Sequence, residues 1–117
     1  MKAYVKIRSR KGNIILEAEL IRYYHNGSTH VLAIDKRRID SCSSEYGKWI
    51  LWDALTGLSI YVGFKGQTKA EVISQGISVL NENFERYEHC IKERSFYEND
   101  YIVSKVASKQ MSIPKYR

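Results

Sequence analysis

The chain predicts an α+β fold: an antiparallel sheet of about five strands, followed by one long amphipathic helix and a shorter C-terminal helix. Three observations carry this. Apolar and polar residues alternate with period two through most of the first 66 residues, as in half-buried strands. An Asn26-Gly27 pair supplies the two positive-φ residues of a tight hairpin turn. From Thr68 onward the spacing of apolar residues changes to four and three, the spacing of one helix face.

In chain order, Ala3, Val5 and Ile7 alternate with Tyr4, Lys6 and Arg8, which gives a first strand with one core face and one cationic, aromatic face. Ser9 to Asn13 is a turn by composition. The second strand, Ile14 to Tyr24, places Ile14, Leu16, Ala18 and Leu20 on one face and Glu17 and Glu19 on the other, where they are expected to face Lys6 and Arg8 across the hairpin. The third strand, Thr29 to Ile34, runs into Asp35-Lys36-Arg37-Arg38-Ile39-Asp40 and a polar loop. The fourth, Lys48 to Leu55, is apolar on both faces, with Trp49 and Leu51 opposed to Ile50 and Trp52. Such a strand is covered twice. The long helix accounts for one cover, and the C-terminal helix, a loop or another subunit for the second. A fifth strand over 58–65 precedes the helix.

The long helix is expected from Thr68 to Ser95. Thr68 and Glu71 form a capping box, and Ile73, Ile77, Leu80, Phe84, Tyr87 and Ile91 make a single seam. Ser95 and Glu98 suggest a second capping box, opening a helix to about Gln110. One domain over 1–111, strands to 66 and helices from 67, with a basic tail over 112–117, is the expected organisation.

Composition narrows the function classes. A chain of 117 residues buries roughly two-thirds of its unfolded surface, enough for a core without staples. Two cysteines, Cys42 and Cys90, without metal-ligand or framework spacing fit a reducing compartment, and the absence of a long apolar run leads to a cytoplasmic expectation with no membrane partner. The net charge of +6 is uneven: +5 over 1–40, −3 over 41–100 and +4 over 101–117. A positive side of this kind attracts phosphates or an acidic partner.

No constellation points to catalysis, and neither a metal nor a cofactor is expected. His25, His30 and His89 lack ligand spacing, and His89 and Cys90, adjacent on a helix, point about 100° apart. The chain is therefore read as a non-enzymatic binding module with a basic surface for nucleic acid or another phosphate-bearing ligand such as a nucleotide. Lys6, Arg8, Arg10, Lys11, Lys36, Arg37 and Arg38 are the candidate phosphate contacts, and Tyr4 and Tyr23 the candidate stacking platforms. The alternative is a small oligomeric interaction or inhibitor protein, of a kind that phages and other mobile elements encode, acting on a host protein or sequestering a ligand. Its candidate interface is Ile50 and Trp52.

The junction Tyr61-Val62-Gly63-Phe64-Lys65-Gly66-Gln67-Thr68-Lys69-Ala70-Glu71 is similar to the strand–helix junction of double-stranded-RNA-binding domains and of the arm-binding domains of phage integrases. The likeness covers about a tenth of the chain. The leading helix of the first family and the second basic residue of its helix start are missing, and no family is assigned from it.

Replacing Lys36, Arg37 and Arg38 together by Ala is expected to weaken binding of nucleic acid or another phosphate-bearing ligand while leaving the fold intact. Unchanged affinity in a low-salt titration removes this segment from the binding surface.

Overall fold

A computed structural model describes residues 2–9, 12–36, 48–60 and 68–108, together with the backbone of 115–116. The strands are β1 (Lys2–Ser9), β2 (Gly12–His25), β3 (Ser28–Lys36), β4 (Trp49–Asp53), β5 (Ser59–Ile60) and β6 (Lys115–Tyr116). The helices are α1 (Lys69–Glu82), α2 (Phe84–Arg94) and α3 (Tyr97–Ala107). β1 to β5 form an antiparallel meander in sequential order. The β2–β3 turn has Asn26 at φ 48° and Gly27 at φ 80°, as Asn-Gly requires.

β2 is long enough to serve two neighbours on one edge. Its residues 12–19 pair with β1, and Arg22 and Tyr23 pair in parallel with Lys115 and Tyr116 of β6. Residues 115–116 of the expected tail thus belong to the chain's own sheet.

Both faces of the sheet are covered. On one, Ile21, Tyr23, Leu32, Ile34 and Leu51 pack under Val72, Ile73, Ile77, Leu80 and Tyr87 of α1 and α2. On the other, Val5, Ile7, Ala18, Leu20, Val31, Ala33, Trp52 and Ala54 pack against Val103 and Val106 of α3. The doubly apolar β4 is divided between them: Leu51 and Trp49 face α1 and α2, while Trp52 and Ile50 face α3. The second cover is therefore the C-terminal helix. α1 lies so close to β4 that a Cβ on Gly76 would come within 2.3 Å of Leu51 Cδ2.

The single long helix of the sequence reading is two helices. At Asn83 (φ −122°, ψ 34°) the backbone leaves helical geometry, and the Asn83 side-chain amide donates to the Val79 carbonyl at 2.9 Å. Asparagine competes for backbone groups in this way, which makes it a weak helix former and a natural break. The Thr68–Glu71 capping box forms: Glu71 N donates to Thr68 Oγ1 at 3.2 Å and Thr68 N to Glu71 Oε1 at 2.9 Å. The expected Ser95–Glu98 box does not. Ser95 Oγ instead donates back to the Ile91 carbonyl, α3 starts after Phe96, and Glu98 is drawn to Lys6.

β1 is an edge strand whose outer side is sealed. Asn99 imitates a neighbouring strand, its Oδ1 accepting from Lys6 N at 2.8 Å and its Nδ2 donating to Lys6 O at 2.9 Å. Two residues on, Arg8 N donates to Gly57 O at 2.9 Å. Gly57 belongs to the β4–β5 turn, where its φ of +71° is the left-handed conformation, and a Cβ there would meet Lys6 O at 2.6 Å. Exposed edges invite pairing with other chains, and these contacts close this one over Lys6 and Arg8.

Gly57→Ala is expected to lose about 1–2 kcal/mol from the left-handed backbone alone, and more from the clash with β1. Urea unfolding of the variant measures the loss, and a change within error of zero shows that the turn does not seat against β1.

Candidate functional site

The β4–β5 turn also forms the floor of a cleft on the α1/α2 side. Asp53 ends β4 with 3% of its surface exposed. Its Oδ2 accepts from Thr56 N at 2.7 Å, and its Oδ1 from the Tyr87 hydroxyl at 2.5 Å. Thr56 Oγ1 in turn accepts from Leu58 N at 3.2 Å. The cleft above has a volume of about 360 Å³. Leu58, Ile60, Val79 and Leu80 give it apolar walls, Ser59, Thr56 and Asn83 supply uncharged polar groups, and Arg86 and Cys90 lie one helical turn apart along α2. Arg86 is exposed and, among the described residues, has no hydrogen-bond or ion-pair partner. It is the cationic residue of the cleft lining.

The break at Asn83 is what places these residues. It redirects the chain so that Tyr87 reaches Asp53 and Phe84 packs against His25, with the rings tilted and their centroids 4.2 Å apart. Behind Tyr87 lies an aromatic cluster: His30 is 5.1 Å from Tyr87 and 5.6 Å from Phe84, and Tyr23 lies about 6 Å from His25, His30 and Tyr87. Burial and the nearby Asp53 carboxylate raise the Tyr87 hydroxyl well above its ordinary range, so it stays a proton donor. Burial pushes Tyr23, which donates to Asn81 Oδ1, up to about 12. Burial lowers His30, against the opposing pull of Asp53 and Glu88, and the neighbouring His25 lowers it further. His30 Nε2 is enclosed and has no hydrogen-bond partner.

The structure scatters the residues singled out from the sequence. Lys6 pairs with Glu98 at 2.7 Å and lies 4.9 Å from the centre of the Phe96 ring. Arg8 donates from Nε to Thr56 O at 3.0 Å and from Nη2 to Arg94 O at 2.9 Å, which caps the carbonyl end of α2 with a cation. Both are occupied in holding β1 to the helices. The cross-strand pairing expected of them is also different: Lys6 opposes Ile15, Arg8 opposes Asn13, and Glu17 opposes Tyr4. Glu19 opposes Lys2 on β1 and forms an ion pair with Lys69.

Tyr23 has no exposed surface and presents no face for stacking, because it is on the side of β2 that α1 and α2 cover. Tyr4 is 69% exposed. Trp52 is buried beneath α3 and so is not a free interface residue, whereas Ile50 packs beside it and is only partly buried. Lys36 is exposed, its Nζ 5.5 Å from the centre of the Trp49 ring, and Lys69 approaches the same ring at 5.5 Å. Arg10, Lys11, Arg37 and Arg38 lie outside the described residues, as do Cys42 and most of the glycine-containing junction before α1. Among the described residues no group of three His, Cys, Asp or Glu could hold a metal ion, and no helix is long and apolar enough to cross a membrane.

Asp53 and Arg86 were not singled out from the sequence. Asp53 had a readable signal, since an Asp three residues before Thr-Gly at a strand end is a turn former that bonds its own backbone. Arg86 had none, because its setting depends on the break at Asn83.

The lowered His30 fixes the sign of a pH effect. Its ordinary value is 6.5, and the folded value lies below it, so between the two the unfolded chain binds the extra proton. The His30 contribution to stability is therefore complete at about pH 7 and falls as pH drops below 6.5. Urea unfolding from about pH 5 to 8 should show a stability difference between the wild type and His30→Phe that grows on acidification, in favour of the variant. Parallel profiles rule this out.

Comparison with protein-family models, with curated proteins and with solved structures found no match, so the chemistry of these residues carries the functional reading.

Proposed function

We propose that the protein is a non-enzymatic binding module for a small phosphate-bearing ligand with a flat apolar body, a nucleotide in the simplest case, and that the ligand seats in the cleft between β4, β5, α1 and α2. The observation that carries the reading is the pairing of apolar walls with Arg86, which has no partner among the described residues, in a cleft of about 360 Å³. Small-ligand sites are concave, mostly apolar, and oriented by a few polar groups. A planar ring meets Leu58, Ile60, Val79 and Leu80, hydroxyl and amide groups meet Ser59 and Asn83, and the phosphate meets the Arg86 guanidinium, whose fork matches phosphate oxygens. Asp53 and Tyr87 satisfy each other on the floor and keep its shape.

The extended basic surface proposed for nucleic acid has less support among the described residues. Lys6 and Arg8 are tied to Glu98, Thr56 and Arg94, and Tyr23 is enclosed. Of the two contacts of the oligomeric interaction reading, Trp52 is spent on the core, while Ile50 is only partly buried.

Isothermal titration of the full chain with nucleoside monophosphates and with the corresponding nucleosides tests the reading. The monophosphates are expected to bind more tightly than the nucleosides, and Arg86→Gln to remove at least a tenfold share of the affinity, about 1.4 kcal/mol. Absence of binding by every member of the panel, or equal affinity of Arg86→Gln and the wild type, overturns it.

A further inference from the structure

On the opposite face of the sheet, Arg22 poses a problem that the cleft does not address. It follows Ala18 and Leu20 on the side of β2 that α3 covers, lies across from Val31 of β3, and keeps 5% of its surface. Along its other side runs β6, with Lys115 in register. Its guanidinium carbon is 5.9 Å from the centre of the Tyr24 ring. Nε and Nη1 are both enclosed, and neither has a hydrogen-bond acceptor. The contrast with Arg8 is direct, since carbonyl oxygens satisfy that guanidinium.

A lysine in such a place could shed its proton. An arginine does not, so Arg22 is a full charge with unmet donors. Buried charges are paired, because an isolated one is heavily penalised. No described carboxylate is paired with it. Asp35, the other buried ionisable residue on this face, is four residues along β3 from Val31, at about 13 Å by strand geometry, and has a partner of its own.

The two bare nitrogens lie on different edges of the guanidinium. Nε belongs to the side edge and Nη1 to the end edge, so each edge keeps an unfilled donor. A tetrahedral oxyanion accepts two parallel hydrogen bonds along one edge of a guanidinium, which for the side edge are those of Nε and Nη2, and the net charge of +6 favours the approach of anions.

We propose that Arg22 anchors an oxyanion site between β2, β6 and the α3 face, and that the site takes a phosphate group, free or as the end of a phosphomonoester. It is independent of the cleft, whose residues lie on the α1/α2 side.

The test uses the full chain dialysed into phosphate-free buffer, with inorganic phosphate, glycerol phosphate and acetate as probes. Phosphate is expected to raise the melting temperature of the wild type and of Arg86→Gln saturably, but not that of Arg22→Met. Arg22→Met is expected to melt at or above the wild type when phosphate is absent. A larger response to glycerol phosphate than to phosphate identifies the monoester as the source of the group. Arginine Nε–H resonances of the wild type, observed by NMR, give a readout that does not depend on any variant folding: one of them should move as phosphate saturates. Equal shifts in all proteins, an equal effect of acetate, or Nε–H resonances that phosphate leaves in place each overturn the proposal.

Discussion

Asp53 brings a carboxylate into the interior, and the elements around the cleft take their positions from the bonds that make this tolerable. One oxygen holds the turn that follows β4, and the other holds Tyr87 of α2. Hydrogen bonds to a charged group contribute about 1.5–3 kcal/mol each, and removing one leaves an acceptor buried without a partner. The turn so fixed reaches in two further directions: Gly57 O seals the edge of β1, and Leu55 O accepts from Phe96 N at 2.8 Å, which sets the start of α3. A single buried acid thus links both helical layers to the edge of the sheet. Arg8 repeats the pattern from the other side, tying β1 to the turn and to the end of α2.

This wiring explains why the basic face read from β1 is not an open surface. Lys6 and Arg8 alternate with apolar residues, and alternation alone assigns them to the solvent side. On an edge strand that side adjoins whatever closes the edge, here Phe96, Glu98 and Asn99. Both cations lie over the Phe96 ring, at 4.9 and 4.2 Å. Their charge acts within the fold.

Much of the architecture was legible because it rests on local periodicity and turn chemistry. The meander, the Asn26-Gly27 turn, the Thr68 cap and the two-faced β4 each follow from a few adjacent residues. What was not legible depends on contacts distant in sequence. The seam from Ile73 to Ile91 continues through Asn83 without a gap, so periodicity gives one helix; the break becomes visible only when Tyr87 has Asp53 to reach, 34 residues away. Ser95 and Glu98 have the spacing of a capping box, but Lys6, 92 residues away, competes for Glu98. Trp52 reads as surplus until α3 is placed over it. The candidate cleft was hidden for the same reason, since its walls come from β4, β5, α1 and α2, and no short window contains them.

Asp53 and Arg22 are opposite solutions to one problem. Both are charged residues taken out of water, and desolvation penalises both. Asp53 has a donor for each oxygen, both supplied by residues whose placement the fold already requires, so its charge organises structure. Arg22 sits in a strand whose neighbours on that face include Leu20 and Val31, which offer no side-chain acceptors, and Tyr24, whose ring lies 5.9 Å away, and none of them bonds its Nε or Nη1. A residue that served packing alone would be better replaced by a methionine or leucine of similar volume. The same criterion distinguishes Arg86 from Arg8: one guanidinium is consumed by carbonyl oxygens that the fold supplies, and the other belongs to an exposed residue that lines a cleft and has no partner among the described residues. If the protein receives anions, the basic groups that the fold does not use, more than the net charge, mark where.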